Sequence, residues 1–170
     1  IKISYQITVP RRTGIDCASA SGSIDLANLT GEVSARTTSG SIDAAGITGT
    51  LHLNCSSGSI SCDRIDGGDV YLESASGSVR LANGSSLQVC QLTAASGPVT
   101  GRHIEANSIR MASSSSRVTL NDAKAEVINL HAGSGSVTAN EASCERLQAE
   151  STRGDISVAF RPDAPGDVAA

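Results

Sequence analysis

The sequence has no Trp, one Phe and two Tyr, and its four Pro and single Met are nearly as sparse. Without bulky aromatics the interior has to be filled by small and branched side chains, and a surface built on base or sugar stacking has little to work with. Long apolar runs are also missing. No stretch approaches the roughly 18 apolar residues of a membrane span, and no basic-then-apolar leader opens the chain. The first residue is Ile, which reads as the start of a mature or trimmed fragment. Neither sign of charge prevails: 13 Lys and Arg stand against 17 Asp and Glu, a net charge of −4, and basic residues do not cluster beyond Arg11 and Arg12. That balance argues against a nucleic-acid partner.

What the chain has is Gly, 17 of them, with much Ser and Ala. Such a composition fits disorder only when apolar residues are scarce, and here they make up 39% and recur in short runs. A length of 170 residues suits one domain or one continuous solenoid.

An internal repeat organises the whole chain. Ser-Gly-Ser-Ile occurs at Ser21–Ile24, Ser39–Ile42 and Ser57–Ile60, with Val versions ending at Val79 and Val137. Weaker copies end at Val99, Val118 and Ile156, so the branched anchors follow one another at intervals of 18, 18, 19, 20, 19, 19 and 19. Nine and seven residues before each anchor every residue is apolar, as in Leu51 and Leu53 before Ile60 or Val70 and Leu72 before Val79. Five before, all are small: Ser19, Thr37, Cys55, Ser74, Ala94, Ser113, Ala132 and Ser151. Alternation of this kind is the signature of a strand with one buried face. A second inward series follows two residues after the anchor, and Leu29, Ile47, Ile65 and Ile104 point inward from a third segment.

Strands this short cannot bury their apolar face alone, so the repeat predicts stacking. The expected fold is all-β, a single-stranded parallel β-helix (β-solenoid) of about eight coils of 18–20 residues, wound right-handed by the crossover rule. Coils about 4.8 Å apart would give a rod roughly 38 Å long. The glycines two before the anchor, Gly22, Gly40, Gly58, Gly77, Gly97, Gly135 and Gly154, are expected at a corner that needs positive φ, with Ser116 the exception. A second Gly precedes the next strand at Gly31, Gly49 and Gly67. The organisation expected is a capping strand at 1–12, solenoid repeats at 13–160 and an irregular tail at 161–170.

The Ser-Gly-Ser/Asp-Ile ladder at this period resembles a bacterial family of adhesin-type β-solenoid domains of unknown function, nicknamed toastrack. The segment Tyr5-Gln6-Ile7-Thr8-Val9-Pro10, leading into Ile15-Asp16-Cys17 and Ser21-Gly22-Ser23-Ile24, resembles the way members begin their solenoid. The resemblance covers nearly the full chain. It implies an envelope-associated or surface-exposed protein, outside the cytoplasm, with an adhesion-like or signalling role. No catalytic motif comes with it.

The residues themselves offer little chemistry. Of five cysteines, four stand in inward columns, and the closest pair, Cys55 and Cys62, lacks zinc-type spacing. Small buried hydrophobes are the favoured reading; a Cys55–Cys62 disulfide stapling one coil stays open. Asp25 and Asp43 share an outward column, but the Gly-Gly-x-Gly-x-Asp nonapeptide of calcium-binding solenoids is missing. On the outer face His52, Tyr71 and Glu73 are expected as neighbours, the one cluster with acid/base potential. Coils of uniform length leave no loops to wall a groove around it, so a solvated polar face is the favoured reading.

The expectation is therefore a noncatalytic envelope or cell-surface module that binds a protein or glycan partner, with no cofactor, no metal and no catalytic residue, as a monomer or weak oligomer. Alternatives are a scaffold of solenoids stacked end to end and, behind it, a carbohydrate-active enzyme using the His52, Tyr71 and Glu73 face.

Overall fold

In the computed structural model the described residues are Pro10, 12–161 and the backbone of 167–169. Residues 1–9, most of the expected capping strand, lie outside the described residues. From Ile15 to Arg161 the chain is strand and corner only. Three coils each consist of a five-residue and a seven-residue strand: β1 (Ile15–Ser19) and β2 (Ile24–Thr30), β3 (Val33–Thr37) and β4 (Ile42–Thr48), β5 (Leu51–Cys55) and β6 (Ile60–Asp66). After β7 (Val70–Ser74) the second corner disappears, and the strands run on as β8 (Val79–Ala94), β9 (Val99–Ser113), β10 (Val118–Ala132) and β11 (Val137–Ser151), closing with β12 (Ile156–Phe160). All pairing is parallel, each coil against the next, so the fold is a β-solenoid of about eight turns.

The register places like on like. The anchors pair in one unbroken column from Ile24 through Ile42, Ile60, Val79, Val99, Val118 and Val137 to Ile156. The column nine residues earlier runs from Ile15 through Val33, Leu51, Val70, Cys90, Ile109 and Ile128 to Leu147. These columns fill the interior, and almost every member between coils two and seven is fully buried. Size is compensated along a column: Gly84 leaves a gap into which Leu87 packs, its Cδ1 3.0 Å from where a Cβ would stand. The 20-residue interval supplies the extra residue, Ser86, at φ 54°, that lets Leu87 swing in.

The corner glycines correct the expectation of positive φ, because none of the seven adopts it. What forbids a side chain there is the coil beneath. A Cβ on Gly40 would collide with the carbonyl of Gly22, on Gly58 with that of Gly40, on Gly77 with that of Gly58 and on Gly97 with that of Gly77. Positive φ belongs to the second glycines, Gly31 at 131°, Gly49 at 124° and Gly67 at 68°.

The small residues five before the anchor complete the corner. Thr37 Oγ1 donates to the carbonyl of Gly22 (3.1 Å) and accepts from the amide of Gly40 (3.2 Å). Ser74 joins the Gly58 carbonyl to the Gly77 amide at 2.9 Å each, and Ser151 joins Gly135 to Gly154 at 2.8 Å each. Cys55 does the same with its thiol, donating to Gly40 (3.1 Å) and accepting from Gly58 (2.9 Å). Where Ser116 replaces glycine, Ser113 still links the Gly97 carbonyl (2.9 Å) to the Ser116 amide (3.1 Å). Ala94 and Ala132 are the rungs that lack a polar atom.

A second backbone feature was not anticipated. Four residues after the anchor, seven consecutive coils carry a left-handed residue: Asn28, Gly46, Arg64, Asn83, His103, Asp122 and Glu141, all at φ 50–66°. This residue bends the long strand and turns its own side chain outward. Asn and Gly adopt the conformation readily, whereas Arg64 and Glu141 do so at about 1–2 kcal/mol each. The last coil omits the bend, and Phe160 slips one place to pair with Ala142.

Most of the expected tail lies outside the described residues. Asp167–Ala169 form a short strand, β13, whose Val168 pairs with Leu147 and so begins another rung on the same column.

If the corner rungs hold the coils as described, Ala94→Ser and Ala132→Ser each raise the unfolding free energy by about 1 kcal/mol. Gly77→Ala lowers it by about 2 kcal/mol or more. Urea denaturation of the three variants checks this, and an unchanged midpoint for Gly77→Ala contradicts it.

Candidate functional site

Outward side chains alternate with inward ones along every strand, so each coil adds one residue to each surface column. On the outer face of the short strands, His52 in β5 and Tyr71 in β7 are register partners, and Glu73 stands two residues on beside Asn54. The structure therefore brings the three expected residues together. The rings of His52 and Tyr71 stack at a centroid distance of 4.8 Å and 12° between planes, and Asn54 Nδ2 donates to Glu73 Oε2 at 3.1 Å. The column containing Glu73 continues as Arg36, Asn54 and Thr93 in adjacent coils, so no second carboxylate stands next to it. An open, hydrogen-bonded face of this kind can recognise a ligand, but it has no wall to exclude water from a reaction.

A denser cluster sits where the left-handed column turns side chains outward. His103 Nδ1 lies 2.5 Å from Asp122 Oδ2, and Arg161, just after β12, reaches back across a coil to the same carboxylate. Asp63 is held by Arg64 (3.1 Å) and Asn83 (2.7 Å), Asp66 by the Ser85 hydroxyl (2.9 Å), and Glu105 by Lys124 (3.1 Å). All of these except Asp63 line a shallow trough of about 500 Å³. A His–Asp pair is two of the three members of a nucleophilic triad, yet the hydroxyl in this trough, Ser85, is spent on Asp66. Sequence reasoning missed His103 and Asp122. Their signal was the series Asn28, Gly46 and Asn83 four residues after the anchor, residue types that favour the left-handed region.

A longer trough of about 570 Å³ follows the bend of the long strands in coils four to seven, where Leu87, Ala106, Ala125 and Cys144 form the floor.

All five thiols are free, Cys55 and Cys62 included, and Cys144 is buried as well as the four placed inward by the repeat pattern, of which Cys17 is only half-buried. Burial, reinforced by Cys90 and then Asp43, pushes the Cys62 thiol far above its ordinary range; burial alone pushes Cys90 up to about 12 and raises Cys144. At neutral pH these are packed thiols. Asp25 and Asp43 are register partners, both exposed, and among the described residues no three His, Cys, Asp or Glu side chains converge as metal ligands.

With parallel coils stacked like on like and no helix among the described residues, the architecture is the β-solenoid that the repeat suggested. The family model Toastrack DUF4097 matches residues 62–166, more than half of the chain. The chain belongs to the Toastrack family. The match begins at Cys62 in β6 and takes in all the coils with long unbroken strands, while the three earlier coils of this Toastrack chain continue the same register ahead of it. Toastrack DUF4097 is a domain of unknown function, so membership fixes the fold and no activity. Neither the curated proteins nor the solved structures contain a match. Among the described residues no helix is long and apolar enough to cross a membrane.

The buried thiols give a pH signature. A thiol whose pKa is raised on folding keeps its proton while the unfolded chain loses one above 9.0, so its contribution is whole below that pH and is lost as pH climbs toward about 12. Stability of the Toastrack domain is expected to fall by up to about 1.4 kcal/mol per pH unit per thiol above pH 9. Cys90→Ala should flatten that slope in denaturation series from pH 8 to 10.5. An unaltered slope contradicts the burial of this thiol.

Proposed function

We propose that this Toastrack solenoid is a noncatalytic interaction module of the bacterial envelope or cell surface, presenting a rigid lateral face to a protein or glycan partner. The observation that carries the reading is that its reactive side chains are tied to one another from coil to coil. His52 stacks on Tyr71, Glu73 takes Asn54, and Asp122 takes His103 and Arg161, so columns of polar groups are held at fixed spacing on open faces. Fixed spacing suits recognition, because little side-chain freedom is lost on binding. The extracytoplasmic location rests on the family resemblance.

One feature favours a second reading, a scaffold of stacked solenoids. Ile156 on β12, at the last full coil, is 42% exposed, the large hydrophobic side chain most open to solvent among the described residues. Sedimentation velocity over a wide concentration range separates the two. The interaction module predicts an elongated species of constant size and saturable binding to isolated bacterial envelope fractions. Growth with concentration, reversed by Ile156→Lys, supports the scaffold. Turnover of a polysaccharide panel that is abolished by Glu73→Gln overturns both.

A further inference from the structure

The long trough on coils four to seven has a floor of small and aliphatic side chains. At this place coils one to three turn on Gly31, Gly49 and Gly67, which offer no side chain, whereas the unbroken strands β8 to β11 bring Leu87, Ala106, Ala125 and Cys144 into one line. These four side chains are 1%, 7%, 9% and 5% exposed, so they belong to the packed core and show the trough only their outermost atoms. From Leu87 to Cys144 is three coil steps, about 14 Å, which about four residues of extended chain would span.

The rims differ in chemistry. On one side Gln88 and Asn107 form an amide ladder, Asn107 Nδ2 donating to Gln88 Oε1 at 2.9 Å. That bond leaves the Gln88 amide group as donor and the Asn107 carbonyl as acceptor, which is what a passing peptide group needs. The same rim continues as Glu126 and Glu145. Because Ala125 pairs with Cys144 and Val127 with Arg146, Glu126 and Glu145 stand side by side on adjacent coils whose backbones are about 4.8 Å apart. Among the described residues neither forms an ion pair, and the one cation lining the trough, Lys124, is taken by Glu105 at 3.1 Å. The trough thus holds three acids against one base, with two like charges facing each other unrelieved.

We propose that this trough is the docking site for an extended, lysine- or arginine-bearing polypeptide segment laid along the solenoid axis. Its cationic side chains bridge Glu126 and Glu145, its small or aliphatic residues rest on the Ala106 and Ala125 methyls, and its backbone meets the Gln88 and Asn107 amides. Charge complementarity selects this occupant over a neutral glycan, which would leave the two carboxylates facing each other. The inference deepens the lateral-face reading and rests on it.

The test is fluorescence anisotropy of the whole chain with a labelled ten-residue peptide of alternating lysine and alanine. Its glutamate–alanine counterpart and a neutral cello-oligosaccharide serve as comparison probes. Glu126→Gln with Glu145→Gln is expected to weaken lysine-peptide binding about tenfold or more. Asp25→Asn with Asp43→Asn removes two adjacent-coil carboxylates from another face and should change it by less than about twofold. Ala125→Arg, which fills the floor, should also abolish binding, with circular dichroism confirming the fold of every variant. Equal losses from both carboxylate pairs, no preference for the lysine peptide, or stronger binding of the oligosaccharide that survives Glu126→Gln and Glu145→Gln would each overturn the proposal. Envelope binding that persists in the Glu126→Gln/Glu145→Gln variant overturns this trough alone, whereas its absence from the parent chain overturns the lateral-face reading itself.

Discussion

Everything in this solenoid depends on how closely one coil's corner can rest on the next. In coils two to five, seven and eight the glycine two before the anchor lies over the backbone of the preceding corner with no room for a Cβ, so the backbone pleats stack without a wedge and the anchors behind them stay in register. Close approach alone would strand the buried corner amides and carbonyls. The hydroxyl or thiol three residues earlier accepts from its own corner amide and donates to the carbonyl of the coil below, so one small side chain satisfies both. Corner and interior are thereby coupled: the same step that seats the glycine sets each Ile or Val of the anchor column on its neighbour.

Much of this was legible because a solenoid repeats its physics. Eight anchors at near-constant spacing fixed the columns, and alternation fixed which residues point inward, from Ile15 to Ala149. The role of the corner glycines was misread because one sequence cannot distinguish a glycine required by φ from one required by a neighbouring chain; both give the same letter at the same place. The left-handed column was hidden for a related reason. Asn28, Gly46 and Asn83 signal it, but Arg64, His103, Asp122 and Glu141 adopt the conformation because the coils on either side impose it. Coil length alone does not signal the disappearance of the second corner after β7: the 19-residue interval from Ile60 to Val79 keeps the corner at Gly67, whereas the 20- and 19-residue intervals that follow run straight through it.

The surface was less legible than the core. His52, Tyr71 and Glu73 could be placed because they sit on strands whose alternation is clear. His103, Asp122 and Arg161 meet only because a left-handed bend and the residue just after β12 come together, and neither follows from alternation. Both clusters spend their charges internally. The long trough is the exception, where Glu126 and Glu145 face outward over a methyl floor. Membership of the Toastrack family describes the rod, and the unrelieved charges on its flank describe where a partner has something to gain.

The most direct test of the corner account is amide hydrogen exchange read residue by residue. Ser74 and Ser151 offer an oxygen to the amides of Gly77 and Gly154, as Thr37 does to Gly40, while Ala94 and Ala132 offer none to Gly97 and Gly135. The account predicts that Gly40 and Gly77 exchange through global unfolding, whereas Gly97 and Gly135, in equally central coils, exchange faster by about tenfold or more. Uniform protection across all the corner glycines would show that packing alone holds the coils, and that the hydroxyl ladder is incidental.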